Sequence, residues 1–348
     1  MRRAEALAAR LEGWFFAPGD PRRLAALRIG LGAILAVRLA AGPYVELAGQ
    51  PAALFRPISF LRLLDAMPPP GLVVVVQALA LAAAVLAVAG VAARVTLPLA
   101  WAAAVPLIAM TSSLGKTAHN DVLLLLCLVP LLPAPTAEAW SLAARRRRAP
   151  ARVWRRGGSA PTGLPAPARV WRRGGSAPTG LPAPAPATWR YGWPVRTAMV
   201  VVAGAYFFSG LAKLLHAGPA WVASGNLRWA LYASSDTQAH PNPAALFVAD
   251  RPWLAHLLAA ATMLVELGFP LVLWRPRLAW VFVPAVVAFH AGIWAAMRLD
   301  YWPMAATVLV VMVDWPAVAD RLAWRRARDR AAAGAPPGER PARTAAEH

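Results

Sequence analysis

Lysine, cysteine and acidic side chains are scarce in this chain, and each shortage removes a class of protein. Of 36 basic residues only Lys116 and Lys213 are lysine, and acidic residues number 16. The single cysteine, Cys127, excludes an intramolecular disulfide, and its apolar neighbours mark it as a packing residue. There is no glycine-rich phosphate loop and no Gly-x-Ser-x-Gly turn. His216, His240 and His256 lack metal-ligand spacing, so no metal is expected. A net charge of +20 raises nucleic acid as a partner, but no aromatic-basic motif accompanies it. The arginines cluster at the N-terminus, in residues 145–196 and after Arg321, beside apolar blocks. That placement predicts anionic membrane lipid as the partner, and no nucleic acid.

What the chain has instead is apolar length. It is 59% hydrophobic with a mean hydropathy of +0.48, and blocks such as 72–91 and 278–297 are almost unbroken. About 20 apolar residues at helical rise cross the hydrocarbon layer. The sequence therefore predicts an all-α, polytopic integral membrane bundle of about eight transmembrane helices. Residues 1–23 form a cytoplasmic amphipathic segment, helical over 4–16, with Trp14, Phe15 and Phe16 at the interface. Spans 1–4 fall within 24–133, at about 24–41, 72–92, 95–113 and 120–132. Arg28 and Arg38 near the ends of span 1 are placed to snorkel. Spans 5–8 fall within 195–318, at about 195–215, 253–274, 278–297 and 301–318, with an interfacial helix over 219–234. Trp193, Trp253, Trp274, Trp280, Trp302 and Trp315 sit at span ends, as an aromatic belt requires. The first span reads as an uncleaved signal anchor.

Residues 134–194 differ from the rest. They contain an exact tandem duplication, ARVWRRGGSAPTGLPAP at 151–167 and again at 168–184. Its Pro, Gly, Ser and Arg content predicts a disordered loop. The tail, 319–348, is charged and then Pro- and Ala-rich, with disorder expected beyond Arg330.

Charge gives the orientation. Residues 1–23 carry five Lys or Arg, the 134–196 stretch twelve and the tail seven, with Arg94, Arg275 and Arg277 on the same side. The other side carries only Arg56, Arg62, Lys116, Arg228, Arg251 and Arg298. Both termini and the Arg-rich loop are therefore expected on the cytoplasmic side, with the chain in the cytoplasmic membrane. Reporter fusions at residue 160 and after 325 should read as cytoplasmic, and fusions near 118 and 236 as external. An external signal at 160 would reverse the orientation.

On this topology the ionisable groups within spans converge on the outer half. Lys116, His119, Asn120 and Asp121 open span 4; Lys213 and His216 close span 5; Glu266, His290 and Asp300 follow. Such groups are costly in a membrane and mark either a function or a specific pairing. In a chain that otherwise uses arginine, a lysine is informative, because a desolvated amine can lose its proton and a guanidinium cannot. Tyr206, Ser209, Lys213 and His216 are spaced three, four and three apart, which predicts one helical stripe. Gly204 and Gly210 would let a neighbouring helix approach it. The stripe could be a proton-abstracting site or a polar seam between helices. His119, Asn120 and Asp121 could equally cap a helix. Glu266 and His290 could pair with each other or with Lys213.

Several segments occur in an order that resembles a known family. They are FAPGDPRRLAALRIGLG, LFRP, GKTAHNDVLLLL with AEAWSL, YFFSGLAKLL followed by AWVASGNLRWAL, VELGFPLVL, and FHAGIWAAMRLDYWPM. Together they resemble the horizontally transferred transmembrane (HTTM) domain, the membrane part of vitamin K-dependent gamma-carboxylase, over about residues 14–318. The most specific element is the aromatic-aromatic-x-Gly-x-x-Lys stretch. The resemblance implies that Lys213 is the base that deprotonates a reduced naphthoquinone of the vitamin K or menaquinone type. It also implies an active-site histidine before span 4, to which His119 is the nearest equivalent, at a different local spacing. The resemblance implies a carboxylase-like enzyme, although no counterpart of the carboxylase's large substrate-engaging luminal region is evident, which weighs against glutamate as the substrate. Family members in bacteria include a membrane component that matures a peptide toxin. A non-catalytic partner of a small peptide or a redox protein is therefore an alternative. Another is a proton-coupled transporter using Glu266, His290 and Lys213.

Overall fold

The computed structural model describes residues 2–115, 119–148, 186–238 and 240–334. Lys116 and both copies of the duplication lie outside them. The described residues are helical, apart from turns and one isolated bridge between Gly19 and Thr188. Helix α1 (Arg2–Phe15) carries its apolar side uncovered, with Leu7 and Leu11 exposed. Asp20 then caps α2 (Pro21–Ala41) by accepting from the Arg22 amide, and Pro21 presets the first turn. After the short α3 (Tyr44–Ala48) come α4 (Pro70–Ala89) and α5 (Ala93–Thr111). The turn between α4 and α5 needs Gly90 at φ +73°, so that the Val91 amide reaches back to the Leu86 carbonyl.

The fourth apolar segment is short: α6 (Val122–Leu128) passes into a 3-10 turn at Pro130, which has no amide hydrogen to continue an α-helix. Past it, the chain stays ordered. Thr136, Ala139 and Ser141 are buried, and α7 (Leu142–Arg148) follows. The other end of the expected 134–194 loop is ordered too. α8 (Trp189–Ala217) begins six residues before the expected span, and the Tyr191 phenol donates to Glu138.

The expected interfacial helix over 219–234 is two pieces, α9 (Ala220–Ala223) and α10 (Asn226–Asp236), broken at Ser224 and Gly225. Asn242 caps α11 (Pro243–Ala249) and also donates to the Ala295 and Ala296 carbonyls. Span 6 divides into α12 (Pro252–Gly268) and α13 (Leu271–Trp274) around Pro270. α14 (Ala279–Met297) matches expectation. Span 8 is shorter than expected. α15 (Trp302–Met312) stops where Val313 turns extended, and Asp314 accepts from the Ala317 amide to start α16 (Trp315–Gly334) at a 71° bend. That helix runs through Arg330, where disorder was expected to begin.

Among the described residues, five helices are long and apolar enough to cross a membrane, and the bent α15–α16 pair would make six. The other two expected spans are apolar helices too short for that test. Except in α2, less than half of the apolar stretch of each of the five long helices is buried. Only 22% of the apolar stretch of α4 is buried, and Leu264 is 73% exposed. Side chains of this kind have no stable place in water, so the chain is a multi-pass membrane protein whose outer faces meet lipid. Trp253, Trp274 and Trp280 stand exposed at helix ends, as interfacial anchors do.

α2 is the axis of the core. Leu24, Leu27, Leu31, Leu35 and Leu39 are buried along it, packed among α4, α6, α8 and α15. Arg28 does not snorkel: it is 0% exposed. Its guanidinium donates to the Ala87 and Val88 carbonyls at the end of α4 and to the Thr136 and Trp140 carbonyls.

Candidate functional site

α8 supplies one wall of a cleft. At 3.6 residues per turn Lys213 lies within about 20° of Tyr206, with Ser209 between them. α12 crosses against this face at Gly210, where an added Cβ would lie 2.9 Å from the Glu266 Cβ. That approach brings Glu266 to Lys213: the amine nitrogen is 2.6 and 2.7 Å from the two carboxylate oxygens. Lys213 also donates to the Ser209 hydroxyl at 2.9 Å, and the Trp221 ring lies 5.3 Å from its nitrogen. Glu266 is 3% exposed, so its charge is met by protein and not by water. Gly204 makes no such approach, since an added Cβ would meet only Phe208 of its own helix.

A second pair lies deeper on the same stripe. The Tyr206 hydroxyl and His290 Nε2 are 2.8 Å apart, while His290 Nδ1 is buried without a partner among the described residues. Phe269 stacks on Tyr206, and Tyr301 stacks on His290. The Tyr301 hydroxyl in turn shares a hydrogen bond of 3.1 Å with His119 Nε2. Lys213, Glu266, Ser209, Tyr206, His290 and His119 all line one cleft of about 430 Å³ between α6, α8, α12, α14 and α15. The remaining lining is apolar apart from Tyr301, and includes Leu123, Leu126, Phe289 and Ile293.

Two expected site residues fall elsewhere. His216 bonds the Ala212 carbonyl of its own helix and is exposed. Ten residues beyond Tyr206, it has drifted about 80° round the helix. Asn120 donates to the Asp300 carbonyl at 2.6 Å, beside the cleft but not in it. Asp121 is not a side-chain cap for α6. It takes Arg38 at 2.8 and 2.9 Å, and the same arginine reaches Asp300 at 2.6 Å. Arg38 is thus an ion-pair centre that pins the 298–301 turn. Next to it Tyr44 is fully buried, which pushes its phenol up to about 12, and it donates to the Arg38 carbonyl. Among the described residues no cluster of three His, Cys, Asp or Glu could hold a metal.

Fold and cleft together define a class: an all-helical, multi-pass membrane protein with an ionisable cleft between its helices. Beyond that class, no family model, curated protein or solved structure matches the chain.

Proposed function

We propose that this is a membrane-embedded enzyme of the HTTM type, in which Lys213 takes a proton from a reduced naphthoquinone held in the cleft. One observation carries the reading: an apolar cleft whose polar groups are a Lys–Glu pair, a Tyr–His pair and their immediate partners. Small-molecule sites combine apolar walls with a few converging polar groups in roughly 300–1,000 Å³, and about 430 Å³ suits a two-ring head group. When bound, a quinol supplies an acidic hydroxyl and, once deprotonated, an electron-rich ring.

The chain's own residues do the rest. Ser209, Glu266 and Trp221 fix the amine, and Tyr206 holds His290 in one orientation. The apolar walls keep water from competing for the proton, and the aromatic rings of Phe289 and Tyr301 offer stacking surfaces. The arginine distribution supports a cleft facing the outer half of the membrane.

Mass spectrometry of protein purified with its native lipid tests the proposal. A naphthoquinone should co-purify with the parent chain and fall several-fold in Ala205→Phe, which fills the cleft. Equal recovery from both proteins, or no quinone in either, would remove the ground for it.

A further inference from the structure

Every contact made by the Lys213 amine favours its charged form. Both Glu266 oxygens, the Ser209 hydroxyl and the Trp221 ring all stabilise an ammonium. A base must offer a lone pair, so the geometry that holds Lys213 also disarms it. Among the described residues that the amine contacts, only the Glu266 carboxylate, its two oxygens nearly equidistant from Nζ, can take a full proton.

Resting on the reading of Lys213 as a base, we infer that Glu266 is its proton-holding partner, and that one proton moves between them when the cleft fills. In the open cleft, Lys213 is 25% exposed and water helps to solvate a separated charge pair. An apolar ring in the cleft displaces that water, and desolvation favours the form without charges. A Lys213 N–H bond breaks and an O–H bond forms on Glu266, leaving a neutral amine beside a neutral acid. The amine then takes the substrate's hydroxyl proton: an O–H bond breaks, an N–H bond re-forms, and the substrate is left as an anion against the Lys213 ammonium. No oxidation state changes in either transfer. Gly210 gives the pair its short reach, since any side chain there would push Glu266 away.

Infrared difference spectroscopy on the full chain in lipid vesicles tests this with an oxidised methyl-naphthoquinone, which has no hydroxyl proton. Its addition should produce the carbonyl band of a protonated carboxylic acid, absent in Glu266→Gln and displaced in Glu266→Asp. No band assignable to Glu266 overturns the inference. Quinol oxidation by oxygen supplies a second arm. Glutamine copies the shape of glutamate and still accepts a hydrogen bond, but cannot take the proton; aspartate can take it but is one methylene short. If Glu266 holds a proton, aspartate should outperform glutamine, with glutamine costing about a hundredfold. If it only positions Lys213, the order reverses. Lys213→Arg, run alongside, separates the failures: full activity there defeats the base reading itself and the inference with it. Loss of activity there, with glutamine at or above aspartate, defeats only the role of Glu266.

Discussion

Replacing Arg28 by methionine should abolish the folded membrane protein, a larger effect than any substitution in the cleft. The side chain is buried with no carboxylate partner among the described residues, and four backbone carbonyls from two segments meet it instead. Two of them, Ala87 and Val88, belong to the last turn of α4, where Ala87 already takes the Gly90 amide and Arg28 supplies the further donor. A cation there also faces the negative end of the helix dipole. Methionine fills similar space but removes the guanidinium donors from the Val88, Thr136 and Trp140 carbonyls, at about 1–3 kcal/mol each, while Ala87 keeps only the Gly90 amide. The sum rivals the whole stability of a typical domain, on the order of 5–15 kcal/mol. Lysine should rescue only part of the loss, because three donors on a point charge cannot copy the planar fork. Size-exclusion profiles and thermal unfolding in detergent will distinguish the variants. A methionine variant that elutes and melts like the parent would show that the clamp is dispensable.

Arg28 also shows where the sequence stops being legible. Its position near the end of an apolar run reads as a snorkelling arginine, and nothing local says otherwise. Its burial depends on residues 136–140 returning beneath the bundle, more than 100 positions away in the chain. Arg38, read the same way, is tied instead to Asp121 and Asp300. The cleft divides along the same line. Tyr206, Ser209 and Lys213 are on one helix, so their spacing alone places them on one face. Glu266 and His290 stand out as ionisable groups within apolar runs, but hydropathy gives depth and not lateral position. It could not say that Glu266 takes Lys213, 53 residues away, or that His290 takes Tyr206, 84 away. Tyr301 went unmarked, because an aromatic at a span end looks like part of the interfacial belt. The helix ends follow local chemistry more closely. Pro21, Gly90, Pro130 and Pro270 all stand at starts, stops or breaks. Local chemistry misled at two others: α8 runs through Pro194 from an earlier start, and the stop at Val313, where no proline or glycine intervenes, left span 8 too long.

The central claim is that Lys213 acts by giving up and taking a proton, and Lys213→Arg addresses it most directly. Arginine keeps the positive charge, can pair with Glu266 and is the cation this chain uses at 34 of 36 basic positions. It cannot serve as a base, because a guanidinium does not deprotonate in proteins. If Lys213 only ties α8 to α12 through Glu266, arginine should be nearly silent and alanine harmful to stability, since Glu266 would be left buried and unpaired. If Lys213 is the base, arginine and alanine should both abolish turnover, by about 10²-fold or more, while the arginine protein inserts and melts like the parent. Lys116→Arg, outside the stripe, should keep most activity. The decisive measurement is oxygen-dependent oxidation of a naphthoquinol by the purified Lys213→Arg protein in lipid vesicles. The account predicts a folded protein with no turnover above vesicles alone; turnover at the parent rate would contradict it.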